Sequence, residues 1–203
     1  GALVMSHADD DGLVVPPRLA PQHLVILPVL RGEETREAVM GYVNKLAAEL
    51  REVRYHGRSI DVEIDQRDIR GGEKNWDWIK RGIPLRVEVG PRDVESDAVM
   101  VSRRDRSPKD KRSMPRAELV ATICRELDEM QAGLFQRALA FRAANTRVID
   151  DEAELYDFFT PKSVKNVGGD ERPEIHGGFA PVHFGGDPEV ENELRDKLKV
   201  TVR

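Results

Sequence analysis

The stretch HLVILPVL, residues 23–30, decides how the rest of the sequence is interpreted. A near-continuous apolar run of this length is typical of a strand buried on both faces of a sheet. Residues 34–53 follow with a helical stripe of apolar side chains, at Val39, Val43, Leu46, Leu50 and Val53. IDVEID, residues 60–65, then alternates as a strand, with Ile60, Val62 and Ile64 on one face and Asp61, Glu63 and Asp65 on the other. Strand, helix and strand together predict a right-handed parallel βαβ unit and therefore an α/β domain.

The segments downstream are expected to extend this unit into one sheet. Residues 71–84 predict a short helix that begins after two glycines and ends at Gly-Ile-Pro. PLRVEVG, residues 84–90, alternates as a strand, with Leu85, Val87 and Val89 inward and Arg86 and Glu88 outward. AVMVSRRD, residues 98–105, is predicted to be its antiparallel neighbour across the turn GPRDVESD.

A charged loop and a long helix are predicted to close this domain. The loop is RRDRSPKDKR, residues 103–112, and Ser113 and Pro115 mark a helix start after it. The helix is expected to run to about residue 146 and to bury Leu119, Ile123, Leu127, Met130, Leu134 and Phe141.

The two ends of the chain have a different character. The three prolines within residues 13–21 predict an extended connector. After residue 151, DEAELYDFF suggests a short helix, and the polar, glycine-rich residues 163–178 suggest a mobile loop. From residue 178 onward we expect a strand, a turn, a helix and a final strand.

Composition excludes several classes of function. The 203 residues carry a net charge of −5, which argues against general coating of nucleic acid, including DNA. Residues 66–112 nevertheless hold 13 Lys and Arg against 9 Asp and Glu, which favours a localised contact with phosphates. No apolar run is long enough for a membrane span. The single cysteine, Cys124, allows no intrachain disulfide, favours a cytoplasmic location and is expected to be a buried, inert thiol.

Two motifs that contain histidine and acidic residues are candidate metal sites. HADDD, residues 7–11, clusters a histidine with three carboxylates, but adjacent aspartates point in different directions and Gly12 follows at once. A polar turn is therefore preferred over a metal site. HFGGDPEVE, residues 183–191, offers one histidine and no cysteine, whereas structural zinc needs about four ligands. No metal site is expected.

Three features could contact nucleic acid. Arg70 precedes two glycines at a strand-to-helix turn, a position suited to a phosphate or a guanine edge. Trp76 and Trp78 cannot both face one core, so one is expected to be exposed and able to stack on a base, while Trp78 is expected to be packed. Residues 103–112 are equally compatible with contacts to a nucleic-acid backbone and with a solvated loop.

The motifs together resemble those of prolyl-tRNA synthetases, in the form common in archaea and eukaryotes and found in some bacteria. Residues 1–21, GALVMSHADDDGLVVPPRLAP, are similar to the end of that family's class II motif 3. Residues 69–93, IRGGEKNWDWIKRGIPLRVEVGPRD, are similar to its anticodon-domain signature, and ALAFRAANTR, residues 138–147, to the end of its long helix. The chain is therefore expected to be the C-terminal part of a longer protein.

The resemblance implies a fold and a site. The fold would be α/β: a class IIa anticodon-binding domain, with a mixed, mainly parallel sheet of about five strands flanked by helices, and then a small α/β C-terminal domain. The implied domains are residues 1–20 as the tail of a catalytic domain, 21–147 as the anticodon-binding domain and 148–203 as the C-terminal domain. The residues implied to read the anticodon guanines of proline tRNA are Glu63, Arg70, Asp77 and Arg92. Phe184 and Val190 stand where many members have zinc-binding cysteines, so the resemblance implies no zinc here.

The resemblance also implies partners. The parent would be a dimer that joins proline to its tRNA through a prolyl-adenylate, with ATP and Mg²⁺ bound by a catalytic domain outside this chain. The chain itself would lack catalysis. The alternative is a free-standing interaction or dimerisation module. A small hydrolase built on HADDD is disfavoured because no nucleophile or phosphate loop accompanies it.

Overall fold

The structure is a computed structural model that describes residues 1–30, 32–160, 164–167, 170–173 and 178–203. These residues form two compact units, Gly1–Gln136 and Arg137–Arg203. The helices of the described ranges are all too short or too polar to traverse a bilayer.

The first unit contains the sheet and most of the helices. Its elements in chain order are α1 (Ala2–His7), β1 (Leu24–Pro28), α2 (Glu33–Glu52), β2 (Arg54–Tyr55), β3 (Arg58–Ser59), β4 (Val62–Ile64), α3 (Gly71–Arg81), β5 (Leu85–Val89), α4 (Pro91–Glu95), β6 (Ala98–Arg103), β7 (Lys111–Pro115) and α5 (Arg116–Ala144), which continues into the second unit.

The sheet has five strands in the order β4-β1-β5-β6-β7. β1 pairs in parallel with both β4 and β5, with Leu24 opposite Val62 on one side and Leu85 on the other. The predicted parallel βαβ unit is therefore confirmed. β5 with β6, and β6 with β7, pair in antiparallel. The sheet is mixed as expected, and its four pairings divide equally between parallel and antiparallel.

Helices cover both faces of the parallel part of the sheet. The larger core contains the predicted stripe of α2 and the buried side of α5, packed on Leu24, Ile26, Leu85, Val87 and Val89. On the opposite face, Trp78 of α3 packs with Ile83 against Val25 and Leu27. This double coverage explains why all five residues of β1 are buried.

Double coverage also makes one sequence prediction wrong. Arg86 was expected to face outward on β5, but it is only 1% exposed and its Nε donates to Asn75 Oδ1 of α3 at 2.8 Å. The outward face of this strand is a second buried layer rather than solvent. Burial and the nearby charge of Arg104 lower the pKa of Arg86 to about 10. Asp65, assigned by alternation to the polar face of its strand, is likewise 3% exposed.

Two connections differ from the sequence predictions. The turn predicted between β5 and β6 contains the short helix α4, whose first residue is Pro91 and whose start is capped by Asp93 accepting from Gly90 N–H at 2.8 Å. Residues 111–115 form β7, although a loop and a helix start were predicted there. The charged sequence KRSMP hides a strand because only Met114 is buried, which is typical of an edge strand.

The second unit is small. It contains α6 (Glu152–Phe159), the antiparallel strands β8 (Val164–Val167) and β9 (Asp170–Pro173), and α7 (Pro188–Leu198). The helices α6 and α7 confirm the predictions, and Asp151 and Asp187 cap them through their side chains. The loop predicted for residues 163–178 is wrong where β8 and β9 pair. Its residues 163, 168–169 and 174–177 lie outside the described residues.

Three other predictions for this unit are also corrected. The strand expected after residue 178 is reduced to one bridge between Thr146 and Phe179. Residues 199–203 form no strand, since Lys199 ends α7 in the left-handed conformation. Phe141 was expected to be buried but is 73% exposed, because the apolar stripe of α5 ends at Leu134.

A buried histidine at the start of β1 predicts a pH dependence of stability. His23 is fully buried, its Nδ1 accepts the Asp61 backbone N–H at 3.0 Å, and burial lowers its pKa. The unfolded chain therefore binds a proton near pH 6.5 that the folded chain does not, so the free energy of unfolding should fall as the pH drops below about 6.5. The slope should reach at most about 1.4 kcal/mol per pH unit.

Urea unfolding at pH 5 and pH 7.5 measures this effect. We expect His23→Asn to lose less stability than the wild type between the two pH values, because an asparagine oxygen can accept the same N–H without titrating. His7→Asn is the matched control at an only partly buried histidine. An unchanged pH dependence in His23→Asn would contradict the prediction.

Candidate nucleic-acid interface

A buried carboxylate at the end of β4 organises the candidate site. Asp65 accepts from Arg67 Nη2 at 2.7 Å, from Arg67 Nε at 3.0 Å and from Trp78 Nε1 at 2.8 Å. Burial alone would raise the pKa of Asp65, but the bonds from Arg67 and Trp78 outweigh it and lower the pKa to about 2. Asp65 is therefore a fixed negative charge that ties the strand to α3.

Arg67 and Lys74 extend this cluster onto the helix. Arg67 also donates through Nη1 to Asp77 Oδ2 at 2.8 Å, so one guanidinium bridges the end of β4 and the middle of α3. Lys74 Nζ donates to the Asp65 carbonyl at 3.2 Å. The sequence patterns did not indicate Asp65, Arg67 or Lys74 as site residues. The available signal was a run of charged side chains directly after a parallel strand, where α/β proteins commonly bind ligands.

Two clefts, each of about 570 Å³, flank this cluster. The first lies at the carboxyl ends of β1 and β4, beside the first turn of α3, and its basic lining residues are Arg36, Arg67, Lys74 and Lys111. The second lies along the edge strand β4 and is lined by Glu63, Arg67, Trp78 and Arg81. Both share the segment Asp65–Arg67, so a ligand in either cleft would touch the same cluster.

Three of the four residues predicted to read RNA surround this cluster. Glu63 is exposed on β4, two residues before Asp65. Arg70 is exposed and is the N-cap residue of α3, where its carbonyl accepts from Glu73 and Lys74. Asp77 lies about two turns further along α3, in its ion pair with Arg67. Arg92, the fourth residue, is exposed on α4, which follows β5. In the sheet, β1 lies between β5 and β4, so Arg92 follows a different strand from the other three residues.

One of the two tryptophans is buried and the other is exposed, as expected. Trp78 is 8% exposed and packs against the sheet, whereas Trp76 is 47% exposed. Trp76 therefore presents an aromatic surface one residue from Asp77.

The charged segment 103–112 mostly contacts the protein itself. Arg103 is buried and bonded to Asp105 and Glu129, and Arg112 pairs with the buried Glu126 at 2.5 Å. Arg104 is buried and paired with Asp9. These three arginines are paired within the protein, which is neither of the two alternatives left open for this segment.

The acidic motif forms a turn, and the cysteine is hydrogen-bonded to the backbone. Asp9 accepts from Gly12 N–H through its backbone in the turn predicted for HADDD. Among the described residues, no cluster of three or more His, Cys, Asp or Glu side chains could hold a metal ion. Cys124 is partly buried, its Sγ–H donates to the Arg54 carbonyl at 3.4 Å, and burial raises its pKa.

The family follows from comparison with known sequences. The sequence model described as "Anticodon binding domain" matches residues 23–126, which include β1, β4, α3 and all four predicted site residues. The chain belongs to the anticodon-binding domain family. The mixed sheet and its flanking helices are the architecture predicted for that family from the sequence.

Similarity to longer relatives extends beyond the anticodon-binding domain. The chain is 51% identical over its whole length to proline–tRNA ligase 2 of Anaeromyxobacter dehalogenans. It is 47% identical to proline–tRNA ligase of Protochlamydia amoebophila and 46% to that of Bdellovibrio bacteriovorus, again over all of its length. The chain spans about two fifths of each of these relatives, at 39%, 39% and 38% of their lengths. The resemblance to prolyl-tRNA synthetases is thereby confirmed.

Proposed function

We propose that this chain is the anticodon-binding region of a proline–tRNA ligase and that it binds proline tRNA. The observation that carries the proposal is the similarity to proline–tRNA ligases along all 203 residues, at 51% identity in one case. The exposed polar groups around Asp65 supply a surface on which an unpaired RNA loop could be read.

The residues proposed to read the anticodon are Glu63, Arg70, Asp77 and Arg92. An arginine can donate to O6 and N7 of guanine, and a carboxylate can accept from its N1–H and N2–H₂. Arg67 holds Asp77 in place, which reduces the entropy that its carboxylate would lose on binding a base. Trp76 adds an exposed ring on which a neighbouring base could stack.

The activity of the parent enzyme is part of the same proposal. The parent would join proline to its tRNA through a prolyl-adenylate, with ATP and Mg²⁺ bound in a catalytic domain outside this chain. We also propose that the parent is a dimer and that it is cytoplasmic, the latter because the chain has one cysteine and no disulfide.

Binding of two transcripts tests the proposal. Fluorescence anisotropy should show that the chain binds proline tRNA more tightly than the same transcript with its anticodon guanines replaced. Each lost bidentate base contact should raise Kd by the equivalent of roughly 1–3 kcal/mol. Equal affinity for the two transcripts would rule out anticodon reading.

Arg70→Ala should weaken binding of proline tRNA by roughly 1–3 kcal/mol, the scale of one bidentate contact with a base. Arg70 is exposed and no fold-stabilising bond from its guanidinium was found in the described residues, so its truncation should leave the fold intact. In the full ligase, proline-dependent ATP–pyrophosphate exchange should be unchanged.

The matched control is Arg125→Ala, at an exposed arginine on α5 away from the site. Its affinity for tRNA should stay within about twofold of the wild type, since surface substitutions have small effects. If Arg70→Ala and Arg125→Ala bind equally well, Arg70 does not read the anticodon.

A further inference from the structure

The segment that follows HADDD is bonded to the C-terminal end of α3. Leu13 N–H donates to the Lys80 carbonyl at 3.2 Å, and Val15 N–H donates to the Gly82 carbonyl at 3.1 Å. These bonds use carbonyls that the last turn of a helix leaves without partners of its own. The segment therefore completes the end of the helix that carries Asp77 and, at its other end, Arg70.

All three guanidinium nitrogens of Arg104 donate hydrogen bonds to this segment or to α3. It donates to both carboxylate oxygens of Asp9, at 2.5 and 2.8 Å, and to the Gly12 carbonyl at 3.1 Å. Its Nε donates to the Ile79 carbonyl of α3 at 2.9 Å. Arg104 is 2% exposed, and this planar fork fixes orientation as well as distance. We call Asp9, Arg104 and the bonded carbonyls the clamp.

Close packing leaves the clamped segment little freedom. A Cβ on Gly12 would lie 2.8 Å from Lys80 Cα, and a Cβ on Gly82 would lie 2.4 Å from the Leu13 carbonyl oxygen. The two backbones touch at these glycines, so the segment cannot slide along α3 without breaking the contact.

We infer that Asp9 and Arg104 are positioning residues, which hold α3 in register with the part of the enzyme that enters through HADDD. This inference rests on the proposed function, in which residues 1–20 leave the catalytic domain. In the proposed function, one tRNA is bound at its anticodon by this chain and at its acceptor end by the catalytic domain. The clamp would set the geometry between the two, because it joins the exit of one domain to the reading helix of the other.

The strength of the pair suits this role at physiological pH. The bonds from Arg104 lower the pKa of the Asp9 carboxyl. Asp9 therefore stays ionised throughout the range in which the enzyme would work. Asp10, its neighbour, is exposed and provides a control of the same type one residue away.

Asp9→Asn in the full ligase tests the inference, with Asp10→Asn as control. Three quantities are measured: proline-dependent ATP–pyrophosphate exchange, kcat for aminoacylation, and Kd of the 203-residue chain for proline tRNA. We expect Asp9→Asn to leave exchange and Kd within twofold, because Arg104 keeps its bonds to two carbonyls. It should lower kcat for aminoacylation about tenfold or more, since small misplacements of reacting groups have effects of up to roughly a hundredfold.

Asp9→Glu, which restores the carboxylate, should recover most of the lost kcat. Asp10→Asn should have the kcat of the wild type.

Three outcomes would overturn the inference. Equal kcat in Asp9→Asn and Asp10→Asn would show that the clamp positions nothing. A weakened Kd would assign Asp9 a structural role in the anticodon-binding region, and lost exchange would assign it to the active site itself. Failure of the proposed function would look different from failure of this inference. In that case the wild-type chain would bind proline tRNA and the transcript with replaced anticodon guanines equally well.

Discussion

Asp65→Ala is expected to lower the free energy of unfolding by about 3 kcal/mol, the lower end of the range for breaking a buried ion pair. The substitution removes the acceptor for Arg67 and for Trp78 Nε1, and Trp78 is only 8% exposed. The effect should stay at the lower end because the Arg67 side chain is 39% exposed and can be hydrated. Urea unfolding followed by circular dichroism at pH 7 measures it.

The same substitution should alter the acid dependence of stability. The pKa of Asp65 is about 2 in the folded chain and 3.8 in its ordinary state. Its stabilising contribution is therefore complete above about pH 4 and is lost as the pH falls toward 2. The difference between the wild type and Asp65→Ala should shrink over that interval.

Asp68→Ala is the matched control, because Asp68 is an exposed carboxylate three residues away. It should change stability by less than about 0.5 kcal/mol. If Asp65→Ala is no less stable than Asp68→Ala, the cluster does not hold β4 and α3 together.

Gly82→Ala is expected to destabilise the chain by roughly 2–5 kcal/mol. Gly82 ends α3 with φ of 77°, a left-handed conformation that costs an alanine about 1–2 kcal/mol. The added Cβ would also lie 2.4 Å from the Leu13 carbonyl oxygen, so the clamped segment would have to move. Overpacking of this kind adds about 1–3 kcal/mol. Thermal and urea unfolding of the variant measure the sum.

Gly41→Ala provides a contrast with the opposite sign. Gly41 lies inside α2, and a Cβ there would meet no atom within 4 Å. Alanine is favoured over glycine in a helix interior by about 1 kcal/mol, so this variant should be more stable than the wild type. Similar stability changes in the two variants would contradict the geometry described for Gly82.

Local patterns in the sequence were sufficient to predict the parallel half of the fold. HLVILPVL indicated a strand covered on both faces, and α2 and α3 begin and end within two or three residues of the predicted bounds. These features depend on neighbours close in sequence: apolar spacing, glycine at a helix end and proline after it. The edge strand β7 was missed because edge strands carry charged side chains that also suit a loop.

Alternation along a strand reports two faces but not what covers each of them. Arg86 was assigned to the outward face of β5, and that face is covered by α3. The partner of Arg104 is likewise 95 residues away in the chain, at Asp9. Contacts of this range depend on how the elements assemble, and one sequence contains no local signal for them.

The candidate site was predicted by resemblance rather than by pattern. Glu63, Arg70 and Arg92 are exposed polar residues, and nothing in hydrophobic periodicity distinguishes them from other solvated side chains. Two residues were also indicated by local pattern: Arg70 by its place before two glycines at a strand-to-helix turn, and Trp76 because two tryptophans two residues apart in a helix cannot share one face. Asp65 and Arg67, which organise the site, were missed because a buried charge at a strand end resembles an ordinary turn residue.

The clamp changes where a transplantable module begins. Residues matched by the family start at residue 23, and a chimaera made by cutting there would look complete by sequence. Such a cut would delete Asp9, leave the buried Arg104 without its carboxylate and expose the carbonyls at the end of α3. An engineered fusion that exchanges anticodon-binding domains between enzymes should therefore include the donor chain from residue 8 onward. The fusion then keeps α3, the segment bonded to it and Arg104 together.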